Sequence, residues 1–227
     1  MKRSDMNIDI VLFDFGGVIA EEGFKQGLAA IAQANGLDEN TFIQIAHEAI
    51  YSTGYVIGRV SGNMYCNTLR QETGIKGDDA SLRNEIFSRF IIRDWVIDLV
   101  KTLQANGVKV GILSDQTDML DMLDKKYDFF RLFDYVFNSY HMGKGKRDQS
   151  LFDDIVHALN KEPDHILFID NNPKYVNRAK QKGWKGIQYV DRERFEKDIG
   201  DMLQLESFAR QDEIYLTKGV QPQIINF

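Results

Sequence analysis

Val11 to Ala20 reads VLFDFGGVIA, with Ile10 and Asp9 before it. The run from Ile10 to Phe13 is short and wholly apolar, as a strand buried on both faces must be. It stops on one carboxylate, Asp14. Phe15 follows, then Gly16 and Gly17. A strand that ends in charge before two glycines delivers a carboxylate to a tight turn. There the backbone can bend so that N–H groups approach an anion. Asp14 is therefore the first candidate catalytic residue, and Gly16 and Gly17 are candidate anion-cradling positions.

Outward from this stretch the pattern divides. From Glu21 to about Phe90 apolar residues recur at helical spacing in GLAAIAQANGL, NTFIQIAHEAI and MYCNTLRQETGI, with glycine breaks and almost no strand signal. From Trp95 helices and strands alternate. The spacing predicts a helix over WVIDLVKTLQANG, a strand at 108–114, a helix over about 117–125 and a strand at 135–140. It then predicts a helix from Asp148, a strand at 165–170, a helix from Pro173 to Gly183, a strand at 186–190 and a final helix. Short apolar strands alternating with helices predict an α/β fold, a Rossmann-like open parallel sheet covered on both faces. Residues 1–19 and 91–227 are expected to form this core, and 20–90 an inserted all-helical cap. The tail at 204–227, ending QPQIINF, is read as a docking segment or a loose end. Ligands of such sheets bind beyond the carboxyl ends of the strands. Asp14, Ser114 with Asp115, and Asp170 with Asn171 stand at three of those ends.

The bulk numbers narrow the class. The chain has 227 residues, 43% hydrophobic and 27% charged, which suits a globular protein with one good core and an inserted module. The net charge of −6 disfavours a nucleic-acid partner. No uninterrupted apolar stretch reads as a signal peptide or a membrane span. A single cysteine, Cys66, leaves no partner for an internal disulfide and fits a reducing, cytoplasmic setting.

Four motifs in order carry a resemblance. FDFGGVI, ILSDQT, MGKGKRD and LFIDNN resemble the four motifs of the haloacid dehalogenase-like hydrolase superfamily. Within it the chain is similar to phosphatase-type members with a helical cap inserted after the first strand. The resemblance covers about residues 8–190. It implies Asp14 as nucleophile, Ser114 as a hydroxyl donating a hydrogen bond to a phosphate oxygen, and Lys146 as a positive charge beside the phosphate and Asp14. Gly16, Gly17, Ser114, Asp115 and Lys146 would contact phosphate. Mg²⁺ would be held by Asp14, the Gly16 carbonyl, Asp170 and Asn171. The implied activity is Mg²⁺-dependent hydrolysis of a small phosphorylated metabolite, such as a sugar phosphate, through an aspartyl-phosphate. Phosphoryl transfer needs an in-line nucleophile and compensation of charge on the equatorial oxygens, and these residue types supply both.

Three departures bear on that activity. Gly16 stands where most phosphatases of the family carry a second Asp that protonates the leaving oxygen, help worth about 10²–10⁴ in rate. Asn171 replaces a second acid and brings no charge to a divalent cation. Asp115 is a carboxylate near an expected phosphate; it reads either as a cap for the helix near Thr117 or as a substitute acid. Two other readings stay open: a catalytically silent member that binds a ligand or partner in the same cleft, and a 2-haloacid dehalogenase, which needs no acid at Asp170. Glu21, Tyr55 and Arg59 are weaker candidates within the cap, and His141 is the histidine nearest to the Lys motif.

Overall fold

The computed structural model describes residues 8–203 and 223–225. The first strand, β1, is Ile10–Phe13, and all four of its side chains are buried. Five α-helices follow before the next strand, and the first four are α1 (Gly23–Ala34), α2 (Glu39–Ser52), α3 (Gly62–Thr73) and α4 (Asp79–Phe87). Asp38, Ser61 and Asp78 cap α2, α3 and α4 by accepting backbone N–H groups three residues on, so each start is fixed locally.

Alternation then begins. Helix α5 (Asp94–Ala105) leads to β2 (Lys109–Ser114), α6 (Met119–Tyr127) and β3 (Tyr135–Asn138). A short α7 (Ser139–Met142) and α8 (Ser150–Leu159) precede β4 (Ile166–Asp170), α9 (Pro173–Gln181), β5 (Lys185–Gln188) and α10 (Arg192–Leu203). A two-residue β6 (Gln223–Ile224) pairs with β3. Every ladder is parallel and the order is β5-β4-β1-β2-β3-β6. The strand expected at 135–140 ends at Asn138, because the Asn138 side chain accepts the Tyr140 N–H and turns the chain into α7. The strand expected at 186–190 runs from Lys185 to Gln188 instead. Of the expected tail, all but residues 223–225 lies outside the described residues.

The sheet is covered on both faces. In β1, Val11 and Phe13 pack with α5, α6 and α10, while Ile10 and Leu12 pack with α8 and α9. The period-2 alternation thus feeds two apolar layers, which is why the strand has no polar face. At the carboxyl edge the first crossover is clamped. Ala20 bridges Ile92, Glu21 N–H donates to Ile91, and Arg93 N–H donates to Ile19. The Arg93 guanidinium donates to the Gly17 carbonyl at 2.8 Å and to both Glu21 oxygens at 2.9 and 3.0 Å. The two chain segments that join the helices α1–α4 to the sheet are therefore held side by side, beside Asp14.

Candidate active site

β1, β2 and β4 are adjacent, so their carboxyl ends bring Asp14, Ser114 and Asp170 to one edge. The Asp14 carboxylate is fixed through a single oxygen. Its Oδ1 accepts from Ser114 Oγ at 2.5 Å and from Phe15 N–H at 2.8 Å, and lies 3.0 Å from Lys146 Nζ. Among the described residues no donor reaches Oδ2. Asp14 is thus aimed and neutralised on one side and left open on the other.

Lys146 is only 1% exposed. Its ammonium also meets Asp170 Oδ2 at 2.6 Å and lies 4.9 Å from the centre of the Tyr175 ring. Nearby carboxylates hold it protonated, above the ordinary lysine range despite burial. Asp170 is fully buried. Its other oxygen accepts the Asn172 N–H at 2.7 Å, and burial pushes its carboxyl up to about 7.

The glycine pair does two different things. Gly17 has φ +81°, and a Cβ there would run into the Asn171 amide and the Glu22 carboxylate. Gly16 has no such strain; a Cβ would lie 3.5 Å from Gln116 Nε2 and 3.8 Å from the Phe90 ring, ordinary contacts. Among the described residues the Gly16 N–H has no acceptor, while Gly17 N–H closes the turn onto Ala20 O at 2.7 Å. Among the described residues, a backbone N–H without an acceptor on the turn after Asp14 is a donor available to an anion.

Asp115 does not cap α6. Its Oδ1 accepts the Lys146 N–H at 2.7 Å and its Oδ2 accepts the Tyr51 hydroxyl at 3.1 Å, tying α2 to the Lys146 loop. Burial raises its pKa. Asn171 turns its Nδ2 to Glu22 Oε1, and among the described residues no donor reaches its amide oxygen. Glu22 was not apparent as a site residue. It precedes α1 but makes no capping bond, and burial together with Asp14 raises its carboxyl above the usual range. Its neighbour Glu21 was the candidate, but Glu21 belongs to the Arg93 clamp, which lowers its pKa. Tyr55 donates to Asp118, and His141 pairs with Asp121 at 2.7 Å. Glu21, Tyr55, Arg59 and His141 are all absent from the wall of the cavity that holds Asp14.

That cavity has a volume of about 360 Å³. Asp14, Gly16, Ser114, Asp115, Lys146, Asp170 and Asn171 all line it, and so do Glu22, Tyr51 and Tyr175. A larger hollow of about 670 Å³ between α3, α4 and α6 contains none of the motif residues.

Comparison with known proteins places the chain in a family. A family model for haloacid dehalogenase-like hydrolases matches residues 8–176. The chain belongs to this family. As a member, this hydrolase is 23% identical over 198 residues to flavin mononucleotide hydrolase 1 of Arabidopsis thaliana, covering 86% of this chain and 78% of that protein. The family enzyme BT-2542 of Bacteroides thetaiotaomicron superposes with a TM-score of 0.70 at 20% identity, over 85% of this chain and 98% of that one. The same enzyme in complex with magnesium and inorganic phosphate gives 0.60 at 18% identity, over 81% and 95%. L-2-haloacid dehalogenase of Xanthobacter autotrophicus gives 0.61 at 18% identity, over 85% and 82%. These superpositions establish a shared fold.

Proposed function

We propose that this hydrolase cleaves phosphate monoesters of small metabolites, with Asp14 as the nucleophile and Mg²⁺ as the cofactor. One observation carries the reading: four carboxylates, Asp14, Glu22, Asp115 and Asp170, line one cavity around a single buried ammonium, Lys146. Carboxylates gathered around one ammonium favour a hard divalent cation, which a phosphate dianion approaching Asp14 requires and a metal-free haloacid displacement does not. The donor set is all oxygen: the Asp14 and Asp170 carboxylates, the Gly16 carbonyl and the Asn171 amide oxygen. No group of three His, Cys, Asp or Glu side chains has metal-holding geometry among the described residues. A set made of two carboxylates and two neutral oxygens is consistent with that, and it fits Mg²⁺ as a weakly held ion that keeps several waters. When bound, the ion offsets the charge between the Asp14 carboxylate and the phosphate. The Arabidopsis relative and the magnesium–phosphate complex of BT-2542 support the same assignment.

The residues then divide the work. Ser114, the Phe15 amide and Lys146 hold Asp14 Oδ1, so that Oδ2 meets phosphorus. The bond from phosphorus to the leaving oxygen breaks as the aspartyl-phosphate forms. Lys146 and the Gly16 N–H offset charge on the equatorial oxygens. Water attacks phosphorus next, releasing phosphate and restoring the carboxylate. Position 16 offers no proton to the leaving oxygen, so esters with weakly basic leaving groups react fastest. Residues 20–90 act as a cap, with the Tyr51 bond to Asp115, the Arg147–Tyr51 stack at 3.4 Å and the Arg83–Asp118 pair at 2.7 Å among its contacts to the core. The test is phosphate release over a set of esters, with Mg²⁺ and with chelator, by the wild type and Asp14→Asn. Metal-dependent release that the variant lacks is expected. Halide release from 2-chloropropionate without metal, or no turnover of either class, contradicts the proposal.

A further inference from the structure

The cavity has two chemically different halves. Its sheet side is polar and carries the motif residues. Its other side is carbon, walled by Phe24, Leu28, Ile43, Ile50, Val56 and Phe90. Leu28, Ile50, Val56 and Phe90 are buried, and Phe24 and Ile43 are partly buried and packed on the same core. Polar groups on this side are few. Lys25 and His47 are exposed at the rim. The Tyr51 hydroxyl is committed to Asp115 and Tyr175.

This wall selects by chemistry. A polyol leaving group would bury several hydroxyls against carbon with few partners beyond the Gln116 amide at the Gly16 edge, and each unpaired one would cost its desolvation. A second anionic group would find no buried cation there. A flat apolar group loses little freedom on entering and gains contact with Phe24 and Phe90. At about 360 Å³ the cavity is near the small end of ligand pockets, which run from about 300 to 1,000 Å³. It suits one phosphate and a compact ring rather than a long chain.

We propose that the substrate is a phosphate monoester whose leaving group carries an aromatic ring, and that the ring lies against the Phe24–Ile43–Phe90 wall. The proposal rests on the phosphatase reading for the other end of the same molecule. It moves the expected substrate away from sugar phosphates.

The experiment measures binding, so that it stands apart from turnover. Asp14→Asn is titrated calorimetrically, with Mg²⁺ present, against four primary phosphate esters. Benzyl phosphate and pyridoxine 5′-phosphate carry aromatic rings; glycerol 1-phosphate and glucose 6-phosphate are polyols. The ring esters are expected to bind at least tenfold more tightly. Ile43→Ser, at a partly exposed wall position, should weaken ring esters severalfold and leave the polyols unchanged. Equal affinities, tighter polyol binding, or no binding of ring esters overturns the proposal. Phosphate release by the wild type is read in parallel. Release without ring preference defeats this inference alone, and ring preference without release defeats the phosphatase reading alone.

Discussion

Gly16 and Gly17 are adjacent and identical in the sequence, yet the structure assigns them opposite tolerances, and alanine at each position measures the difference. At Gly17 the backbone has φ +81°, and a side chain in that region costs about 1–2 kcal/mol. The new Cβ would also fall on the Asn171 amide and the Glu22 carboxylate. Both are ends of flexible side chains and can yield, so the cost there is their hydrogen bond, about 1 kcal/mol. Gly17→Ala should therefore lose about 2–3 kcal/mol. At Gly16 the φ is ordinary and the nearest atoms stand at 3.5 and 3.8 Å. Gly16→Ala should be neutral or gain about 0.4–1 kcal/mol, because alanine narrows the unfolded ensemble. The gap between the variants is about 3 kcal/mol. For a chain of this size that is roughly 6–12 °C in Tm. Thermal melts by circular dichroism, without metal, and urea unfolding read the gap independently. Equal melting of the two variants, or a lower Tm for Gly16→Ala, would refute the account of the turn.

Other outcomes follow from the same geometry. Gly16→Asp, placed where a Cβ meets only ordinary contacts, should install an acid beside the leaving oxygen and raise kcat on benzyl phosphate about 10²-fold or more; a pH–rate series on both proteins checks it. Lys146→Met should cost about 3–5 kcal/mol, since it strands buried carboxylates. Its pH dependence has a definite sign. The Asp170 carboxyl already sits near 7 and rises further without the ammonium, so the folded state keeps a proton that the unfolded chain loses above about pH 4. Stability therefore falls as pH rises through the folded pKa, and the variant's deficit should be larger at pH 8 than at pH 5 in matched melts. Asn171→Asp removes the donor to Glu22 and sets two carboxylates together, so Tm without metal should drop while calorimetry shows tighter Mg²⁺ binding.

What the sequence showed and what it hid have physical reasons. Asp14, Ser114 and Asp170 were legible because an apolar strand that stops on a polar residue marks a carboxyl end, and parallel strands share that edge. Lys146 lies in a loop and became visible only through its motif. Glu22, Tyr51 and Tyr175 were invisible, since each earns its place through a partner far along the chain. Glu22 meets Asn171 149 residues away, and Tyr51 meets Asp115 and Tyr175 64 and 124 residues away. Nothing local separates Glu22 from Glu21; the Arg93 clamp decides which of the two faces the cavity. Asp115 had the spacing of a helix cap, but a backbone donor from the Lys146 loop outcompeted the helix. The β6 strand is only two residues long, too short for any periodicity to announce it.

The central claim is that phosphorus passes through Asp14, and trapping it there is the direct test. Enzyme with Mg²⁺ and benzyl phosphate is quenched in the steady state, reduced with borohydride and digested, and the peptide containing position 14 is weighed. An aspartyl-phosphate is reduced to homoserine, so homoserine at position 14 is predicted in the wild type and none in Asp14→Asn. Steady phosphate release with an unmodified Asp14 peptide, or release that survives in Asp14→Asn, would contradict the account.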